Sequence, residues 1–244
     1  MSRSGAPGER KPAARKPAAR PGRPVRKPAV VASDMRDHIL DHAEGLFADH
    51  GFYGVTVREV ARLARVDSAL VHYYFETKLG LFEAVLARRS EVVNVERLRS
   101  MDAYARAAGD HITVEGCIEA FLEPIVRRSL PHDPQWRNYF RLVALVNSAG
   151  SWGGEMMTRQ FDSVIQRLVE LLRKALPHAS DVDLYWCYHF LSGALTLSLS
   201  ETGRIDRLSG GICASGDVAA IYGRMVPFTA AGFRRICQPA KAGK

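Results

Sequence analysis

The chain has 244 residues, a mass of 27.0 kDa and a formal net charge of +8, with 47% hydrophobic and 25% charged residues, which leaves room for one large domain or two modest ones around a true core. No apolar run exceeds five residues, which excludes a membrane-spanning helix, and the basic start lacks the apolar segment of a secretory signal. Four dispersed cysteines, Cys117, Cys187, Cys213 and Cys237, form no Cys-x-x-Cys pair; this argues against a zinc ribbon or a disulfide framework and fits a reducing cytoplasm.

Charge is concentrated at the start. Residues 1–30 hold nine of the 34 Lys/Arg and one of the 26 Asp/Glu, so the 25 cations and 25 anions that remain cancel. The same stretch has six of the twelve prolines and no aromatic residue. It cannot bury enough apolar surface to offset ordering entropy, and residues 1–32 are expected to form a disordered basic arm. Arg10-Lys-Pro-Ala-Ala repeats at Arg15, and proline keeps such a chain extended. A polyanion, DNA above all, is its natural partner. Arg20-Pro-Gly-Arg23-Pro24 resembles the Gly-Arg-Pro core of an AT-hook, which implies that Arg20 and Arg23 lie in a minor groove. A solubilising tail is the other reading that the residues leave open.

From Ser33 the pattern turns helical. Ile39, Leu40, Ala43, Leu46 and Phe47 form one apolar stripe, and Gly51 stands where that helix must stop. Thr56-Val-Arg-Glu59 is a capping box opening a second helix, with Val57, Val60, Ala61 and Ala64 as its apolar face. After a three-residue turn, Asp67 can cap a short third helix, Ser68–Phe75. Thr77 can cap a fourth carrying Leu81, Phe82, Val85 and Leu86. Beyond it, Thr113 opens a helix that contains Pro124, which should kink or break it. Asp133-Pro134 opens another, to about Ser148. Gly150–Gly154 reads as a loop, and a long amphipathic segment runs from there to Pro177. Ser180 or Asp181 starts the next helix. Residues 201–216 read as a Gly-rich loop, and a last helix spans about Asp217 to Cys237. No stretch alternates with a period of two, so the fold is predicted to be all-α.

Two short helices joined by a tight turn and packed on a third make a helix-turn-helix, whose second helix fits a DNA major groove. Residues 57–64 and 68–75 occupy those places. Residues 36–82, through Gly51-Phe-Tyr-Gly-Val-Thr56, Val60-Ala-Arg-Leu-Ala-Arg-Val66, Tyr73-Tyr-Phe75 and Lys78, resemble the DNA-binding domain of the tetracycline-repressor (TetR/AcrR) family. The resemblance implies a homodimeric, ligand-responsive transcriptional regulator that binds an inverted-repeat operator in double-stranded DNA. It places Thr56 and Arg58 at the start of the second helix against phosphate or a guanine edge, and Ser68, Ala69, Leu70, His72, Tyr73 and Tyr74 on the recognition helix. Lys78 matches the family's phosphate clamp, whereas Val66, Val71 and Phe75 read as core. The chain departs from the family's usual pattern at Arg65 and Ala69, where glycine is usual, and at His72, where an aromatic is usual. Residues 34–78 hold five Lys/Arg against eight Asp/Glu, so long-range attraction to DNA is assigned to the arm.

This organisation predicts a DNA-binding domain at 33–80, a helical ligand-binding and dimerisation domain at 81–238 and a disordered tail at 239–244. Phe121, Trp136, Phe140, Trp152, Met156, Met157, Phe161, Trp186 and Phe190 are candidates for core or for the lining of a cavity that takes a small hydrophobic effector. The helices near 181–200 and 217–237 are expected to form the homodimer as a four-helix bundle, with Ser192, Gly193, Ala194 and Ser198 small enough for close approach. Trp186…Phe190-Leu-Ser-Gly-Ala194 followed by Glu201-Thr-Gly-Arg204 resembles members that respond to fatty acids or acyl-coenzyme A. Arg127, Arg128, Arg137 and Arg141 would then meet the ligand's phosphates or carboxylate.

Catalysis is not expected. Gly150-Ser-Trp-Gly153 is no nucleophile elbow, and no phosphate loop or dinucleotide fingerprint occurs. His38 and His42 are four apart, a spacing able to hold a metal, but two neighbouring histidines on an exposed helix are more simply surface residues; neither metal nor cofactor is expected. The competing reading is an architectural protein that coats DNA through its arm with little sequence choice.

Overall fold

The computed structural model describes residues 29–130 and 133–238, and every regular element among them is α-helical. Arg20, Arg23, most of the basic arm and the 239–244 tail lie outside these residues. Among the described residues ten helices follow one another: α1 (Ala29–His50), α2 (Val57–Ala64), α3 (Ser68–Phe75), α4 (Lys78–Ala108), α5 (Val114–Ser129), α6 (Pro134–Asn147), α7 (Gly150–Ala175), α8 (Asp181–Leu199), α9 (Arg204–Leu208) and α10 (Val218–Ile236).

The helix starts are set locally, by side chains that satisfy first-turn N–H groups. Thr56 Oγ1 accepts from the Glu59 N–H (3.2 Å), while Glu59 Oε2 accepts from the Thr56 N–H (2.7 Å) and hydroxyl (2.8 Å). Asp67, Thr77, Thr113, Asp133, Ser180 and Asp217 cap α3, α4, α5, α6, α8 and α10 in the same manner. Gly51, with φ +68°, ends α1 and donates its N–H to the Phe47 carbonyl at 2.9 Å; left-handed backbone of this kind suits glycine.

Four boundaries differ from the sequence reading. α1 begins at Ala29 rather than Ser33, because Ala29–Ala32 contains neither glycine nor proline to stop a helix growing toward its N-terminus. Gly150–Gly154 is the first turn of α7 and not a loop. Of its glycines Gly153 serves close packing: a Cβ there would lie 2.2 Å from the Val146 carbonyl oxygen at the end of α6, whereas Gly150 and Gly154 have open space around them. The 201–216 segment contains the short α9, and Asp206 accepts the Ser215 N–H at 3.0 Å, folding the loop back on that helix. α5 runs through Pro124 unbroken.

α1, α2 and α3 form a small bundle, and α4 continues from it into the larger domain, where it packs on α5 and α7. Buried Ile39, Leu40, Phe47, Val60, Ala64, Val71 and Phe75 fill the small bundle's core. An aromatic chain then crosses to the larger domain. Phe82 of α4 lies edge-on to Phe47 (4.9 Å between centroids) and Phe52 (5.4 Å), and Trp152 of α7 stands 5.2 Å from Phe52 and 6.0 Å from Phe82. Such pairs each add about 0.5–1.5 kcal/mol beyond area burial. α10 packs on α5 and α8, so α8 and α10 lie side by side on the far flank.

Arg65, just after α2, has φ 55° and ψ 43°, the left-handed conformation anticipated where the family usually has glycine. The turn closes through the Val66 N–H to the Ala61 carbonyl (3.0 Å), and His38 Nε2 donates to the Ala64 carbonyl at 2.9 Å. A side chain in this conformation costs about 1–2 kcal/mol. Arg65→Gly should therefore raise stability by about 0.5–1 kcal/mol once glycine's greater unfolded-state entropy is subtracted. Urea midpoints check this; a fall in midpoint would show that the Arg65 side chain makes contacts that outweigh its strain.

Candidate nucleic-acid interface and effector cavity

Helical geometry divides α3 cleanly. At 100° per residue, Val71 and Phe75 share one side while Ala69, His72, Tyr73 and Glu76 share the other. Val71 and Phe75 are buried, whereas Ala69, His72 and Tyr73 are exposed, Tyr73 at 79%. Ser68, Leu70 and Tyr74 are half-buried at the margins, with Tyr74 packed against the core and edge-on to Tyr73 at 5.3 Å. His72 Nδ1 lies 3.0 Å from the Glu76 carbonyl. A carbonyl only accepts, so Nδ1 donates, and the tautomer this selects presents Nε2 as an acceptor, suited to an adenine or cytosine amino group.

Cations flank this helix. Arg58, Arg62 and Arg65 follow one another at i, i+4 and i+7, are all exposed, and form a basic stripe along α2 and its end. Sequence reading named only Arg58; the spacing alone was enough to add the other two. Thr56 is committed to the capping box that the sequence predicts, through both its hydroxyl and its N–H. Glu59's carboxyl is held below its usual range by those hydrogen bonds from the Thr56 backbone and hydroxyl. α2's first turn still leaves the Val57 and Arg58 N–H groups without intrahelical partners, a ready phosphate seat. Lys78 Nζ sits 4.5 Å over the Phe52 ring, which holds the ammonium at the start of α4.

The acidic balance of residues 34–78 is explained by pairing. Asp41 meets Arg88 at 2.7 Å, Glu44 meets Arg88 and Arg89 at 2.8 Å each, and Asp49 meets Arg141 at 3.0 Å. These acids are matched by arginines of α4 and α6 that lie outside the counted segment.

In the larger domain a cavity of about 50 Å³ lies among α4, α5, α6, α7 and α8. Of the residues named from sequence, Phe121, Phe140, Met157 and Phe161 line it. Trp136 is buried elsewhere, between the guanidiniums of Arg89 (5.3 Å) and Arg128 (4.8 Å). Trp152 belongs to the aromatic junction, and Met156 is packed in the core. Trp186 and Phe190 are each 56% exposed on the outer side of α8, stacked at 5.9 Å. Arg127 and Arg128 pair with Glu96, Arg137 with Glu201 and Arg141 with Asp49, and Arg137 lines a neighbouring recess of about 280 Å³.

The cation at the cavity is Arg97, which sequence reading missed. It lies 5% exposed in the run Val93–Arg97–Met101 on the inner face of α4. Its Nε donates to the Phe121 carbonyl at 3.2 Å and its Cζ lies 3.6 Å from the Phe121 ring centre. Burial draws its pKa down to about 10, so it stays charged at neutral pH. Burial also pushes the Cys117 thiol up to about 12 and Tyr188 above its ordinary value.

Comparison with known proteins agrees with this layout. Residues 39–85 match the family described as bacterial regulatory proteins, tetR family, and residues 119–232 match the tetracyclin repressor-like C-terminal domain. The HTH-type transcriptional regulator SrpR of Pseudomonas putida is 24% identical over 182 residues, covering 72% of this chain and 79% of SrpR. The negative transcriptional regulator IcaR of the Staphylococcus aureus biofilm operon is 33% identical over 49 residues, 20% of this chain and 26% of IcaR. Among solved structures, SmeT, the repressor of the Stenotrophomonas maltophilia multidrug efflux pump SmeDEF, superposes with a TM-score of 0.55 at 17% identity, covering 86% of this chain and 96% of SmeT.

Proposed function

The chain belongs to the tetR family of bacterial regulatory proteins, and from that membership we propose that it is a homodimeric repressor that binds an inverted-repeat operator and releases it on taking up a small, largely apolar effector. The observation that carries the reading is the two-sided α3: Val71 and Phe75 hold it to the core while Ala69, His72 and Tyr73 stand in solvent between the α2 arginines and Lys78. Two such helices held by a symmetric body read half-sites about 34–36 Å apart. Dimerisation is assigned to α8 and α10, whose flank exposes Val182, Trp186, Phe190, Leu197 and Phe228. Such a face on a water-soluble helix pair calls for a partner.

The effector is assigned to the cavity between α4 and α8. It acts only through tighter binding to the DNA-free arrangement, and a coupling of about 1–3 kcal/mol changes operator affinity about 5–150-fold.

Footprinting tests the central claim. A protected inverted repeat is the expected result, and uniform coverage would replace the repressor with a non-specific DNA coat. Lys78→Gln is expected to weaken binding to all sequences alike and to reduce the log–log salt slope by about one unit per protomer. An unchanged slope would remove Lys78 from the phosphate contacts.

A further inference from the structure

Arg97 stands apart from the ion pairs of the larger domain. Arginines 127, 128, 137, 141, 159, 167, 173 and 234 each meet a carboxylate, but among the described residues no carboxylate pairs with Arg97, and no Asp or Glu lines its cavity. Its one hydrogen bond there uses Nε, to the Phe121 carbonyl, which leaves both terminal nitrogens of the fork uncommitted. A buried cation without a counter-charge is costly, and the Phe121 ring and carbonyl repay only part of its desolvation. An apolar side chain of similar length would fill the same space without that cost. What a guanidinium adds is a planar pair of donors matched to a carboxylate.

We propose that the cavity's ligand is a small monocarboxylate with an apolar body, its two oxygens taken by the terminal nitrogens of Arg97. The proposal rests on the reading of this cavity as the effector site and names the chemical class. Tyr139, Tyr188, Ser192 and Thr196 place phenol and hydroxyl groups on the lining, while the remaining walls are mainly aliphatic and aromatic. A single cation matches a single negative charge; a phosphate dianion would leave one charge unmatched in an apolar surrounding. About 50 Å³ of free space is about a third of the ~150 Å³ that takes a benzene ring, so a ring or short chain enters only as the flexible Met157 side chain gives way. A nucleotide-bearing thioester does not fit this site.

The test uses the full-length protein without DNA. Benzoate, phenylacetate and hexanoate are titrated by calorimetry beside the matching amides, which share their shape but carry no charge, and beside inorganic phosphate. The expected result is that at least one acid binds at least about tenfold more tightly than its amide and than phosphate. Arg97→Met, which keeps length and apolar volume, should abolish that preference and leave amide binding unchanged. Acids that bind no better than amides, acid binding that survives in Arg97→Met, or no binding by any acid would each overturn the proposal. If Arg97→Met fails to fold, the acid–amide comparison in the parent chain decides alone. Operator release is scored separately. Acid bound through Arg97 without release would sink the repressor mechanism and leave the carboxylate site standing. Release by amide as readily as by acid would do the reverse.

Discussion

Glu44→Ala is expected to lower stability by about 2–4 kcal/mol, a fall in melting temperature of roughly 5–15 °C for a chain of this size. Glu44 is 2% exposed on α1. Its Oε2 accepts from Arg88 Nη2 and from Arg89 Nε, each at 2.8 Å. Without it two partly buried guanidiniums face each other with no charge between them. Arg88 keeps Asp41 at 2.7 Å and Arg89 keeps the Gln135 amide oxygen at 2.7 Å, which brings the expected loss somewhat below the about 3–5 kcal/mol known for broken buried pairs. Burial alone would draw the Arg88 pKa down; the hydrogen bonds with Glu44 and Asp41 outweigh it and leave the group above its ordinary value. Glu44→Gln keeps an acceptor without the charge and should fall between parent and alanine. A Glu44→Ala melting curve that overlays the parent would show that the cluster contributes nothing. Operator affinity should fall with stability, since the same carboxylate fastens α1 of the DNA-binding bundle to α4.

Phe190→Glu is expected to raise the dimer dissociation constant at least about 100-fold and to abolish operator binding at concentrations where the parent is saturated. Val182, Trp186 and Phe190 succeed one another at i, i+4 and i+8 along α8, and Phe228 of the adjoining α10 is 73% exposed. In a twofold interface every change occurs twice. Burying one phenylalanine side chain contributes about 1.5–3 kcal/mol, so losing two accounts for about 3–6 kcal/mol before repulsion between the new carboxylates is added. Each factor of ten in affinity needs about 1.4 kcal/mol. Sedimentation velocity and a band-shift titration measure both effects. The substituted residue is already in solvent in one protomer, so the monomer should keep its fold and its melting curve. A dimer that persists in Phe190→Glu, with DNA binding intact, would move the interface away from α8 and α10.

What the sequence made legible is what short range decides. The capping residues, the Arg65 turn and the inward and outward sides of α3 depend on neighbours three to five positions away. Glu44 and its arginines are separated by 44 and 45 residues, and no local pattern announces such a pair. Trp152 reads from sequence as a cavity or core residue, whereas it packs on Phe82 and on Phe52 of the DNA-binding domain, far from it along the chain. The glycines of 150–154 suggest a loop by composition, yet the segment is helical and Gly153 packs tightly against the end of α6, as tertiary contacts often override propensity. The aromatic residues named for the cavity divided between its lining, the core, the domain junction and the outer flank, because periodicity reports burial without saying what lies opposite. Arg97 had a signal that was passed over: a charged residue at i+4 between two apolar positions on a buried helix face.

The unbroken course of α4 has a geometric consequence. Nineteen positions separate Lys78 from Arg97, about 28 Å along a helix rising 1.5 Å per residue. A pivot of only about 5° at the Arg97 end swings Lys78 through about 2.5 Å, most of the 3.4 Å rise of a base pair. In the proposed homodimer the twofold axis repeats this swing, so it counts twice in the distance between half-sites. A rearrangement no larger than the seating of one small anion is then enough to put a pair of reading heads out of step with the pitch of the duplex.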